Sequence, residues 1–197
     1  MRQNISKLFK TEPIKGNFAH FYHIDIEDAE FILKLRTEER KDNYLMSTDK
    51  NLEKQKEYLI SSRKKFLLEE EIYFKIYDLA KNKFSGCVRL TKIQSETNFG
   101  WESAVLDKSS SPNLFIEVML MIYRIGFDFL GRDLCGPWKV KKGFQKMMKI
   151  HEIIGMVDII NENEDHYEMS VQKEKYREKI DYYLARGLGS IQNLNIQ

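Results

Sequence analysis

Phe99-Gly100-Trp101-Glu102-Ser103-Ala104-Val105-Leu106, then Asp107-Lys108-Ser109-Ser110-Ser111-Pro112-Asn113, then Leu114 to Leu130, is the stretch that decides the fold. Its first part reads as a strand, with Phe99, Trp101, Ser103 and Val105 on one face and Gly100, Glu102, Ala104 and Leu106 on the other. Its last part reads as a helix whose charges, Glu117, Arg124 and Asp128, recur at intervals of seven and four and so make one narrow stripe. The other sides are apolar, which predicts a helix buried over most of its girth. Small hydroxyl residues with Pro112 near the first turn suit a helix start. Such a start leaves backbone N–H groups directed outward, a natural seat for a phosphate. A well-capped core helix and nothing more is the competing reading.

Upstream of this stretch, residues 1–16 read as a loosely held arm, and residues 17–24 as a strand carrying Phe18, His20, Tyr22 and Ile24 on one face. Asp25 caps a helix from Ile26 to about Arg36, with Asp28 favouring its positive end. Tyr44-Leu45-Met46 follows a polar bend, and Asp49 or Asn51 caps a second helix reaching Phe66. Ile72, Phe74 and Ile76 then alternate with Tyr73, Lys75 and Tyr77, and short turns join this strand to two more. Short turns imply antiparallel neighbours. Downstream come a short strand (134–140), a helix from Gly143 to Ile154 stopped by Gly155, a hairpin, and a helix from Lys173 to Leu184. Residues 187–197 read as a frayed tail. The whole predicts one α+β domain, residues 17–186, around a single mixed sheet.

Composition narrows the function. Hydrophobic residues make up 42% of the 197, ample for a packed core, and 32 basic against 30 acidic residues leave a net charge of only +2. No global attraction for nucleic acid or a membrane surface follows from that balance. Five lysines do cluster after Trp138 (Lys139, Lys141, Lys142, Lys146 and Lys149). Cys87 and Cys135 lack any metal-ligand or disulfide spacing, so no metal is expected. The amino terminus has no signal-like apolar run and no segment has the length of a membrane span, so a cytoplasmic protein is expected.

The element order resembles the GNAT superfamily, the acyl-CoA-dependent N-acyltransferases, over roughly Phe18 to Val171. The resemblance implies a mostly antiparallel sheet with helices on both faces and acyl-CoA as co-substrate. The family's pyrophosphate loop, Arg/Gln-x-x-Gly-x-Gly/Ala, falls on Lys108, Ser111 and Asn113. In its second signature, Phe144 and Met147 stand at the Asn and Ala places, His151 at the Tyr place, and Gly155-Met156 at the Gly-Phe pair. The opening helix and Tyr44-Leu45-Met46 are similar to the nucleotide-amino-sugar N-acyltransferases of surface-polysaccharide synthesis. They are also similar to the ribosomal-protein and aminoglycoside acetyltransferases.

Amide formation from a thioester needs a base beside the amine, and its leaving thiolate benefits from an acid. The resemblance assigns Glu102 the base role; a plain ion pair with Arg89 or a nearby Lys is the alternative. His151 falls at the acid's place, though a satisfied core histidine fits its apolar stripe as well. His20 and His23 are alternative bases. Main-chain N–H groups near Ala104, Val105 and Leu106 would polarise the thioester. The pyrophosphate would lie over Lys108, Ser109, Ser110, Ser111 and Asn113, with Lys141, Lys142 and Lys146 toward the CoA 3′-phosphate. For the acceptor, Trp101, Tyr44, Tyr73 and Tyr77 offer ring surfaces, and Arg36, Arg89 and Lys75 a diphosphate clamp.

The expected reaction is direct transfer, in a ternary complex, of an acetyl or short hydroxyacyl group to a nucleotide-linked aminodeoxyhexose, dTDP-3-amino-3,6-dideoxyhexose first. The rivals are a protein N-terminal or aminoglycoside acetyltransferase and a non-catalytic acyl-CoA-binding module. The C-terminal helix and hairpin offer a face for a homodimer.

Overall fold

The computed structural model describes residues 12–38 and 49–194; Tyr44-Leu45-Met46 lies outside them. Eight strands form one sheet in the order β1-β2-β3-β4-β5-β6-β8-β7. They are β1 (Ile14–Lys15), β2 (Ala19–His23), β3 (Glu71–Asp78), β4 (Lys83–Thr91), β5 (Asn98–Leu106), β6 (Leu134–Lys141), β7 (Asp158–Glu162) and β8 (His166–Gln172). The helices are α1 (Ala29–Glu38), α2 (Leu52–Leu67), α3 (Pro112–Arg124), α4 (Gln145–Ile154) and α5 (Lys173–Leu184). All the strand pairs are antiparallel except β5 with β6.

The local signals work as their chemistry predicts. Asp25 accepts from the Ile26 amide at 2.8 Å while its own amide donates to Asp28 at 2.9 Å, a reciprocal cap on the single 3-10 turn that leads into α1. Asn51 caps α2 through the Glu53 and Lys54 amides. Gly155, at φ 64°, returns its N–H to the His151 carbonyl and ends α4. From Leu114 to Phe127, α3 and the π-helical turn that prolongs it (Ile125–Phe129) are buried at nearly every position. They form the centre of the main core with Phe21, Phe74, Leu90, Phe99 and Trp101. A smaller core on the opposite face joins Ile32, Leu35 and Leu59 of α1 and α2 to Tyr73, Cys87 and Val105.

Strand β5 departs from the expected alternation. Cys87 pairs with Val105 and Arg89 with Glu102, so β5 carries one residue more than β4 between those pairs. The extra residue makes a bulge, with Ser103 in the left-handed region at φ 54°. Phe99 and Trp101 therefore face the main core, but Val105 faces the smaller one, not the shared face that strict alternation assigned.

The described residues at either flank are also tighter than expected. Ile14 and Lys15 form a sheet edge on β2 instead of belonging to a loose arm. Residues 187–194 lie along that edge, with Gln192 donating to the Lys15 carbonyl and Asn193 bonding both Lys15 and Pro13.

Candidate active site

Parallel strands β5 and β6 pair only at Asn98 with Leu134 and Phe99 with Cys135. Beyond Phe99 they part. Strand β5 continues along β4, while β6 bulges after Cys135 and continues along β8 as far as Lys141. The Trp101 and Trp138 rings meet just past the last pair, centroids 5.3 Å apart. An open cleft of about 640 Å³ follows, lined by Gly100 to Ala104 of β5, Pro137 to Lys141 of β6, and Phe144 and Met147. Its far wall comes from α1 and α2 through Arg36, Gln55 and Tyr58.

Glu102 lies in this cleft with its side chain more than half exposed, and its carboxylate accepts from Arg89 Nη2. Arg89 is largely buried; its Nη1 donates to the Tyr58 hydroxyl and stands 3.6 Å from Glu71. Glu71 is buried too, accepting from the Ser62 hydroxyl at 3.0 Å and pairing with Lys65 at 3.4 Å. The ion pair weighed as the alternative for Glu102 is thus present, inside the cleft where a base would work.

Several expected residues lie elsewhere. His151 is wedged against the Trp101 and Trp138 rings, does not line the cleft, and has no hydrogen-bond partner at either ring nitrogen. Burial pushes its pKa down to about 4, so it is neutral at pH 7 and holds no imidazolium proton for a leaving thiolate. The expected acid role therefore lacks geometric support. Tyr77 donates to Asn82 at 2.6 Å near the β3–β4 turn, packed on Tyr22 and Phe84, away from the cleft. Lys75 is held by Asp28 at 2.7 Å. The His23 ring packs tilted against Phe66, centroids 4.1 Å apart, and neither it nor His20 reaches the cleft. Arg36, Tyr73, Arg89, Trp101 and Ala104 do line it, although Trp101 and Tyr73 are buried walls with little free ring surface.

At the start of α3, Ser111 caps the helix by accepting from the Leu114 amide at 3.2 Å. Asp107 takes both the amide (2.8 Å) and the hydroxyl (2.6 Å) of Ser109, and pairs with Lys83 at 2.8 Å. These partners hold the Asp107 carboxyl far below the usual carboxylate range. Part of the expected phosphate seat is therefore already filled by a carboxylate. Lys142 is likewise engaged, at 2.6 Å from Glu162 and over the Tyr167 ring, and Lys146 is exposed on α4 outside the cleft lining.

No family model matches the chain, and no curated protein does. Solved structures match closely. Apo FdhC, a nucleotide-linked sugar GNAT, superposes with a TM-score of 0.77 at 28% identity, over 90% of this chain and 98% of that one. The fold is that of the GNAT superfamily, the acyl-CoA-dependent N-acyltransferases. A GCN5-related N-acetyltransferase from Brucella melitensis shares the fold at TM-score 0.70 and 15% identity, over 89% of this chain and 85% of that one. So does Campylobacter jejuni N-acetyltransferase PseH in complex with acetyl coenzyme A, at 0.59 and 14%, over 78% and 98%.

In this GNAT fold the strand gap and the cleft beside it are continuous, and the cleft's charge is lopsided. Arg36, Lys54, Arg89, Lys92, Lys139 and Lys141 line it against only Asp49 and Glu102. Four of its wall side chains carry buried N–H donors with no partner: Gln55 Nε2, Arg89 Nε, Trp101 Nε1 and Trp138 Nε1. Unpartnered buried donors together with an excess of cations over carboxylates suit an anionic ligand rich in oxygen. Sequence reasoning missed Gln55, Tyr58 and Trp138. A signal existed for the first: Gln55 and Ser62 interrupt the inward stripe of α2 formed with Leu59 and Phe66. Among the described residues there is no cluster of side chains suited to a metal and no helix long and apolar enough to cross a membrane.

Proposed function

We propose that the chain moves an acetyl or short hydroxyacyl group from acyl-CoA to the amine of a nucleotide-linked aminodeoxyhexose. A dTDP-linked 3-amino-3,6-dideoxyhexose is the first candidate, and surface-polysaccharide synthesis the setting. One observation carries this reading: the gap between β5 and β6 opens into a cleft walled by six cations and two carboxylates, one of them Glu102. Both substrates are polyanions, and such a lining draws them in. An aminoglycoside or a peptide amino terminus is cationic and would meet like charge. The similarity to FdhC, a nucleotide-linked sugar GNAT, supports the acceptor class, and acetyl coenzyme A bound to PseH supports the donor.

In this reading the donor's thioester lies in the gap, where the β5 edge from Ala104 to Leu106 has no paired strand on its β6 side, so main-chain N–H groups there can polarise the carbonyl. Ser111, Asn113 and Lys108 at the start of α3 serve the pyrophosphate, with Lys141 or Lys146 toward the 3′-phosphate. Glu102 takes a proton from the acceptor ammonium. The freed amine forms its C–N bond as the C–S bond breaks, and the second proton, lost from the new amide nitrogen, neutralises the departing thiolate so that CoA is released as the thiol. Transfer is direct, because Cys87 and Cys135 are buried and burial pushes both thiols up.

Release of the CoA thiol, followed with acetyl-CoA and a short hydroxyacyl-CoA, tests the proposal. Turnover on dTDP- or UDP-linked amino sugars supports it. Turnover confined to an aminoglycoside or a peptide overturns it, and donor binding without turnover on any amine leaves the non-catalytic rival standing.

A further inference from the structure

The clamp on Glu102 has an asymmetry that gives Arg89 a second task. Of its two carboxylate partners, Glu71 is buried and anchored by Ser62 and Lys65, whereas Glu102 is exposed to the cleft and accepts through Nη2 alone. The Nη1 end is fixed by Tyr58 and Glu71. Arg89 Nε, on the same edge of the guanidinium as Nη2, is buried without a partner. The edge facing Glu102 is thus a two-donor fork of which only one tine is used. A guanidinium fork of this kind matches two oxygens of one phosphate, a stronger arrangement than a single contact to an exposed carboxylate.

Resting on the acceptor class proposed above, we infer that Arg89 exchanges Glu102 for the acceptor's diphosphate. Its Nε and Nη2 donate to phosphate oxygens, and Glu102 is released as the anion that takes the ammonium proton. No covalent bond changes in the exchange. Glu71 stays as a counter-ion, so Arg89 is never left as a lone buried cation. The consequence is selectivity: an amine without the nucleotide leaves its own base clamped. Arg36 and the lysines of the cleft raise the local concentration of the anion that opens the clamp.

The test uses the intact chain, acetyl-CoA and a 3-amino-3,6-dideoxyhexose lacking the nucleotide, with free dTDP or UDP added in trans. Activation of transfer by at least tenfold, absent in Arg89→Lys, is expected; that variant keeps the charge beside Glu71 and loses the fork. Inhibition or no change on adding the diphosphate overturns the inference, as does equal activation of Arg89→Lys. The two readings fail separately. A parent that turns over dTDP-linked amine without responding to free diphosphate sinks only the exchange, and a parent inactive on every nucleotide-linked amine sinks both.

Discussion

Glu102 and His151 were expected to share the chemistry, and their surroundings divide them. Glu102 is exposed in the cleft and its removal spares the core, so Glu102→Gln should fold as the parent does while kcat/KM drops by about 100-fold or more, the usual weight of a general base. Steady-state kinetics beside a thermal melt checks this. His151 is a matter of stability instead. Its folded pKa is about 4 against 6.5 for an ordinary imidazole, so the unfolded chain takes up the proton first as pH falls. The contribution is whole above pH 6.5 and is lost on the way down to pH 4. That loss is on the order of 3 kcal/mol. His151→Phe should flatten this part of the pH profile in urea titrations and, by removing two unpartnered nitrogens, be no less stable than the parent at pH 7.

Strand β5 and helix α3 show how far periodicity reaches. The boundaries of both elements were legible because the apolar pattern changes from period two to a helical stripe across Asp107 to Asn113. The bulge at Ser103 was not, since an alternation count assumes one residue opposite one residue, and a serine in left-handed backbone carries no glycine to announce it. The phosphate seat was half legible. The hydroxyl cap came from composition, but Asp107 turning back onto Ser109 is a matter of side-chain geometry. Packing between the two elements makes its own prediction. A Cβ on Gly126 would meet the Phe99 ring at 2.1 Å, so Gly126→Ala must push β5 at the last residue it pairs with β6. A loss of about 1–3 kcal/mol in denaturant titrations is expected.

Across the whole molecule, the order of elements along the chain and the fold class followed from turn lengths and patterning, while the acceptor wall did so only in part: Arg36, Arg89 and Trp101 were expected there, Gln55 and Tyr58 were not. Gln55, Tyr58 and Arg89 come from α2 and β4 and meet only after folding, so no local motif joins them. The closure of the segments around residues 17 and 189 escaped for the same reason. Glu117, fully buried on α3, accepts from the amides of Asn17, Phe18 and Gly189 and so ties both of those segments to the core. Glu117→Leu strands those amides and should cost on the order of 3 kcal/mol, with proteolysis near residue 189 as the readout, whereas Glu117→Gln keeps an acceptor and should cost less. Everything functional depends on the parting of β5 from β6. A crystal structure with acetyl-CoA tests that most directly. The pantetheine arm is expected to run between the Gly100–Leu106 edge and Pro137–Lys141 with its thioester beside Glu102. A donor bound elsewhere, with the two strands paired along their length, would contradict the account.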